Sequence, residues 1–149
     1  MKQLNNFILE KLKINSNSKI DNNESPLFKD LDNLCNNKNI NVIFDTKELR
    51  DYYNLSMMTI SYDEVNNYIS LRTIMIKNHN KGYGTKFMED LCFYADLNNK
   101  KISLTPTNDF GSHLGRLKKF YKRFGFIENK GKHHDFTTRD SMIRIPKNN

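Results

Sequence analysis

Lys77-Asn78-His79-Asn80-Lys81-Gly82-Tyr83-Gly84-Thr85-Lys86-Phe87 stands between an extended apolar run and a helical one. The run before it, Tyr68 to Lys77, sets Ile69, Leu71, Thr73 and Met75 against Ser70, Arg72, Ile74 and Ile76, which is the period of a strand. The run after it, Gly82 to about Asn98, repeats Phe87, Met88, Leu91, Cys92 and Ala95 at helical spacing. A strand, a loop with two glycines and a helix is a recurring grip for a diphosphate. The first helical N–H groups have no internal partner and carry the positive end of the helix dipole. Glycine lets an anion approach the backbone with no Cβ in the way. Taken alone, Gly82 and Gly84 could equally do no more than end a strand and start a helix.

Two better-known phosphate loops are excluded. The dinucleotide fingerprint needs a third glycine where this chain has Phe87. The P-loop needs a Gly-Lys-Ser/Thr at a fixed distance after its first glycine, and no stretch supplies it. What remains is Gln/Arg-x-x-Gly-x-Gly/Ala, aligned on His79, Gly82 and Gly84. About one helix and one strand later comes Phe120-Tyr121-Lys122-Arg123-Phe124-Gly125-Phe126, a helix end followed by a Gly-Phe that opens a strand.

Together these blocks resemble the GNAT superfamily of N-acetyltransferases. More narrowly, Ser103–Pro106, Arg116–Phe126, Asn129–Lys132 and Met142–Pro146 are similar to small acetyltransferase domains of phages and mobile elements. The resemblance covers roughly residues 68–147; residues 1–40 have none and read as a helical extension of the same single domain, 1–149. It departs at His79, where the superfamily has Gln or Arg, and strand 68–77 lacks the carboxylate some members use as general base.

The resemblance implies an α/β fold: one GNAT-like domain with a mixed, mostly antiparallel twisted sheet, flanking helices, and a splayed acetyl-CoA cleft beside strand 68–77. It implies acetyl-CoA as co-substrate, with its diphosphate on the amides of His79, Asn80, Lys81, Gly82, Tyr83, Gly84 and Thr85, and its pantetheine along Met75, Ile76 and Lys77. It implies that Tyr121 protonates the departing thiolate; the plainer reading of Tyr121 is a core aromatic. Transfer goes directly to a primary amine, first of all on a protein, then on a small molecule or an aminoacyl-tRNA. The alternative is a non-catalytic binder of the same fold acting through protein or nucleic-acid contacts. Oligomeric state is left open, a dimer included.

Composition sets bounds. With 149 residues the chain suits one domain. No apolar run reaches membrane-span length and the N-terminus lacks a signal-like pattern. Cys35 and Cys92 form no metal or redox motif, so a reduced, cytoplasmic protein without a metal is expected. Nine Lys/Arg against ten Asp/Glu leave −1 in residues 1–75, and fifteen against seven leave +8 in 76–149, within a total of +7. A basic half fits CoA and nucleic acid alike.

The remaining elements follow from local patterns. Residues 7–13 have helical spacing, and a polar stretch runs to about 24. Ser25-Pro26 starts a helix, Asn39 to Phe44 reads as a strand, and Thr46 caps a short helix to Tyr53. Leu55–Tyr62 and Tyr68–Lys77 form a hairpin around 63–67. Lys101–Thr105 is a strand, Ser112 caps a helix ended by Gly125, and Phe126–Ile127 and Ser141–Ile145 are the last strands. Asp63, Glu64, Asp109 and His113 are candidates for deprotonating an amine, and each reads as readily as a solvated turn or cap residue. Lys81 and Lys86 would help electrostatically. His133-His134 read as a solvated loop, and the basic cluster 116–123 as a solvated helix face.

Overall fold

In the computed structural model, residues 25–107 and 113–147 are described. The helical pattern at 7–13, the polar stretch to 24, Asp109 and the Ser112 cap lie outside them. Helix α1 (Pro26–Asn36) begins as its chemistry dictates: Ser25 accepts the Leu27 N–H through its hydroxyl, and Pro26 occupies the first turn. Strand β1 (Val42–Phe44) is shorter than expected, because Ile40 N–H turns back to Asn37 O. Thr46 caps α2 (Lys47–Tyr53) through the Leu49 N–H. There follow β2 (Leu55–Asp63), β3 (Tyr68–Ile76), α3 (Tyr83–Leu97), β4 (Lys101–Leu104), α4 (Leu114–Lys122), β5 (Ile127–Glu128) and β6 (Met142–Arg144).

The six strands form one sheet in the order β1-β2-β3-β4-β6-β5. Every neighbouring pair is antiparallel except β3–β4, which is parallel and connected through α3. This is the mixed, mostly antiparallel α/β class that the sequence led us to expect. The four helices share one core on one face of the sheet, with Leu31, Tyr53, Phe87, Leu91 and Tyr121 meeting Ile60, Ile69 and Ile102. Ser70 and Ser103, buried on the other face, bond to each other at 2.7 Å.

β3 departs from the strict alternation read in the sequence. Thr59 pairs with Thr73 and Ile60 with Leu71, so Arg72 is an extra residue; Ser56 is the matching extra residue in β2. A bulge of this kind exchanges the two faces of a strand. Ile69 and Leu71 face the core before it, and Ile74 and Ile76 pack against the same core after it.

Buried polar groups fasten the ends. Tyr53 hydroxyl donates to Asp90 at 2.6 Å and shares a hydrogen bond with Ser25, tying α1, α2 and α3. The Arg144 guanidinium, 3% exposed, forks onto Asp96 at 2.8 and 2.9 Å and donates to Phe124 O at 2.6 Å. Gly125 takes φ +95° where the Arg144 side chain passes, a conformation that favours glycine. No helix among the described residues is long and apolar enough to cross a membrane.

Candidate functional site

β4 pairs with β3 only from Tyr68 to Leu71. β3 runs on to Ile76 with β2 on one side and, among the described residues, no strand on the other. This opening, the fork, is where the two parallel strands part, and the Arg72 bulge lies at its apex. Backbone groups on the open side of Arg72–Ile76 can pair with an extended ligand as they would with a strand.

The fork leads into the loop Lys77–Gly82. Its start is fixed by Asn54, left-handed at φ 56° behind α2, which accepts Lys77 N–H on its carbonyl at 2.8 Å and Asn78 N–H on its side chain at 2.9 Å. Asn80 (φ 63°) and Gly82 (φ 82°) are also left-handed, conformations open to Asn and Gly. Gly82 is the N-cap of α3 and offers no side chain, and the first turn carries no acidic residue. The first internal bond is Lys86 N–H to Gly82 O at 3.0 Å, so the amides of Tyr83, Gly84 and Thr85 have no helical partner. These are the donors an anion takes, at the positive end of a 15-residue helix.

A Cβ at Gly84 would sit 3.7 Å from Phe120 Cζ and 4.0 Å from Ile76 Cγ1, so Gly84 looks across the fork toward α4. Met75, Ile76, Tyr83, Gly84 and Thr85 are half-buried; Lys77, His79, Asn80, Lys81 and Gly82 are exposed. Lys86 is held by Asp90 at 3.2 Å, so its charge is already matched.

Phe120 brings Tyr121 to the same place, their rings 5.3 Å apart and edge to face. The Tyr121 ring is buried, and burial pushes its phenol up to about 12. Tyr53, Tyr68 and Tyr94, the other buried tyrosines among the described residues, give their hydroxyls to Asp90, Asp135 and Asp32. Tyr121 alone of the four has a hydroxyl without a partner among the described residues, and that hydroxyl is not sealed from solvent. A protonated, unengaged phenol beside the fork can donate to a developing anion.

The acid–base candidates scatter. Asp63 is spent on Asn66 in the β2–β3 turn, at the far end of β3, roughly 26 Å of strand from Ile76. Glu64 shares that turn. A cavity of about 230 Å³, lined by Cys35, Asn37, Asn41, Tyr62 and Glu64, also lies toward that end. His113 is exposed at the N-cap of α4, two turns from Tyr121. His134 stacks on Phe136 at 4.0 Å in an exposed segment. The basic face of α4 is partly neutralised: Lys118, Lys122 and Lys130 converge on Glu128 at 3.2, 3.6 and 3.6 Å.

Sequence reasoning missed Asn54 and a carboxylate at the apex of the fork. Asp140, 9% exposed, accepts Ser103 hydroxyl at 2.6 Å and Thr105 hydroxyl at 2.9 Å, with Arg72 at 3.5 Å. Asn129 holds the segment that carries it, donating its amide to the carbonyls of Asp135, Thr138 and Asp140.

Compared with known proteins, the chain matches no family model and no curated protein. Among solved structures it is similar to the anti-CRISPR protein AcrVA5, with 13% identity, 70% of this chain and 98% of that chain covered, and a TM-score of 0.51. A putative GNAT-family acetyltransferase from Bacteroides thetaiotaomicron aligns at 17% identity over 80% and 70%, TM-score 0.49. A GNAT-family acetyltransferase from Staphylococcus aureus Mu50 aligns at 20% identity over 98% and 92%, also at 0.49. At such identities a likeness is one of fold, and the AcrVA5 match carries that much.

Proposed function

We propose that the chain is an acetyl-CoA-dependent N-acetyltransferase acting on a primary amine, a protein amine in the first instance. The observation that carries this reading is continuity: the unpaired side of Arg72–Ile76 runs straight into the uncapped amides of Tyr83, Gly84 and Thr85. An extended amide-bearing arm followed by a diphosphate matches that sequence of groups, and acetyl-CoA has both.

In this reading pantetheine pairs with β3 at Met75–Lys77, the diphosphate lies on residues 79–85, and the thioester sits at the fork. The free amine attacks the acyl carbon, the carbon–sulfur bond breaks, the nitrogen releases one proton to water, and the sulfur takes a proton from the Tyr121 hydroxyl, which water restores. A phenol near 12 stays protonated at neutral pH, as an acid must. Direct transfer is favoured over an acyl-enzyme, because burial pushes both thiols up to about 11 and Cys35 and Cys92 sit within α1 and α3. Holding amine and thioester together supplies much of the rate, on the order of 7–11 kcal/mol in the best cases.

The test is a calorimetric titration with acetyl-CoA, CoA and ATP. Micromolar binding of acetyl-CoA, with CoA close behind and ATP weaker, is expected. No binding to folded protein overturns the reading.

A further inference from the structure

β3 carries no carboxylate, yet a carboxylate stands at the apex of the fork. Asp140 reaches it from the segment between β5 and β6 and lies on the face of the sheet away from the helices, where Ser70 and Ser103 are buried. Its Oδ2 accepts Ser103; its Oδ1 accepts Thr105, just beyond the end of β4, and faces Arg72 at the β3 bulge. The carboxylate thus touches both strands at the point where they part.

The helix face of the fork is filled by Ile74, Ile76, Phe120 and Tyr121. An acceptor therefore comes from the other side. Arg72 is the one cation in ion-pair reach of Asp140 among the described residues; it donates through Nε to Ser61 Oγ at 3.2 Å, while its contact with Asp140 is long, at 3.5 Å, from a side chain 55% exposed. A long ion pair whose cation is this exposed is weak and easily exchanged.

We propose that the acceptor nitrogen enters from the helix-free face and is received by the Asp140 carboxylate. The acceptor is then a cationic alkylamine, and Arg72 is the resident counter-ion that it displaces. This assignment rests on the acetyl-transfer reading above and names the acceptor side of the same site. The arriving ammonium sheds one proton to water. As nitrogen bonds to the acyl carbon and carbon–sulfur cleaves, a second proton leaves nitrogen for water, while sulfur takes its proton from Tyr121.

The test measures CoA release from acetyl-CoA with two acceptors: poly-L-lysine, a dense source of alkylammonium, and hydroxylamine, which is mostly uncharged at neutral pH. Asp140→Asn is expected to lower kcat/KM for poly-L-lysine about 10- to 100-fold, the scale of one charge-assisted hydrogen bond. The hydroxylamine rate and the calorimetric affinity for acetyl-CoA stay within about twofold, since neither needs the charge. Arg72→Ala, outside the core, lowers KM for poly-L-lysine several-fold. Equal losses with both nucleophiles would mark Asp140 as structural and overturn the proposal. So would an unchanged or raised KM in Arg72→Ala, or a wild type that binds acetyl-CoA but never acetylates poly-L-lysine. Failure to bind acetyl-CoA overturns the transferase reading itself.

Discussion

From Tyr68 to Leu71, β3 is flanked by β2 and β4, its residues are 5% exposed or less, and its polar groups are matched: Tyr68 hydroxyl to Asp135 at 2.6 Å, Ser70 to Ser103 at 2.7 Å. From Arg72 to Ile76 the same strand has a described neighbour on one side only, and its residues are exposed or half-buried. Beside that second half stand a phenol and three backbone amides without a partner among the described residues. One end of β3 is closed by pairing and burial, and the other is the end we propose for a ligand. Closely adjacent groups can differ this much because β4 ends at Leu104, opposite Leu71, while β2 stays paired with β3 past the bulge at Arg72.

The largest expected effect breaks the open end alone. Gly84→Glu puts a carboxylate at the proposed diphosphate site and is expected to lower acetyl-CoA affinity on the order of 100-fold or more in a calorimetric titration. Folding should hold, because a Cβ there meets only ordinary contacts at 3.7 and 4.0 Å. Replacing glycine in a helix, with an acid in the first turn, stabilises by up to about 1 kcal/mol. A variant that melts earlier would mean that the open end is structural after all. Tyr121→Phe comes next: kcat falls about tenfold or more, with acetyl-CoA affinity and stability kept, because the hydroxyl has no partner to lose. Unchanged turnover removes Tyr121 from the chemistry.

Tyr68→Phe is the same substitution at the closed end and should do the reverse. It costs about 1–2 kcal/mol in urea denaturation, the worth of a hydrogen bond to a charged group, and leaves kcat alone. The smallest effect is a slope. Hydrogen bonds from Thr137 and Tyr68 hold the Asp135 carboxyl down at about 2. A depressed carboxyl stabilises the fold fully above its unfolded value of about 3.9, and that contribution fades as pH falls toward 2. The melting temperature should therefore drop below about pH 4, and Asp135→Asn should flatten that drop.

The elements were legible where the signal is local: the Ser25-Pro26 start, the Thr46 cap, the hairpin around 63–67, the glycines before α3. The bulges were legible in principle. Apolar spacing of two, three, two through Ile69, Leu71, Ile74 and Ile76 is an alternation with one residue inserted, and Leu55, Met58 and Ile60 repeat the slip. Asp140 was not legible, since its meaning lies in Ser103, 37 residues away, and in a strand pairing that ends just there. The same holds for Glu128, which gathers Lys118, Lys122 and Lys130 from both sides of a turn. Nor does the spacing of Tyr121 tell a core tyrosine from one with a free hydroxyl; the absence of a partner among the described residues is visible only in the structure.

Asn54 has a thermodynamic consequence. By gripping the amides of Lys77 and Asn78 from the end of α2, it settles the path of the loop before any ligand arrives. Ordering a backbone costs about 1–2 kcal/mol per residue. That expense falls on folding and is no longer charged to each encounter, so the proposed anion would meet a surface already in shape. Asn54→Gly, which keeps the left-handed turn and drops the side-chain grip, would transfer part of that entropy to the binding step and leave the contacts themselves as they are.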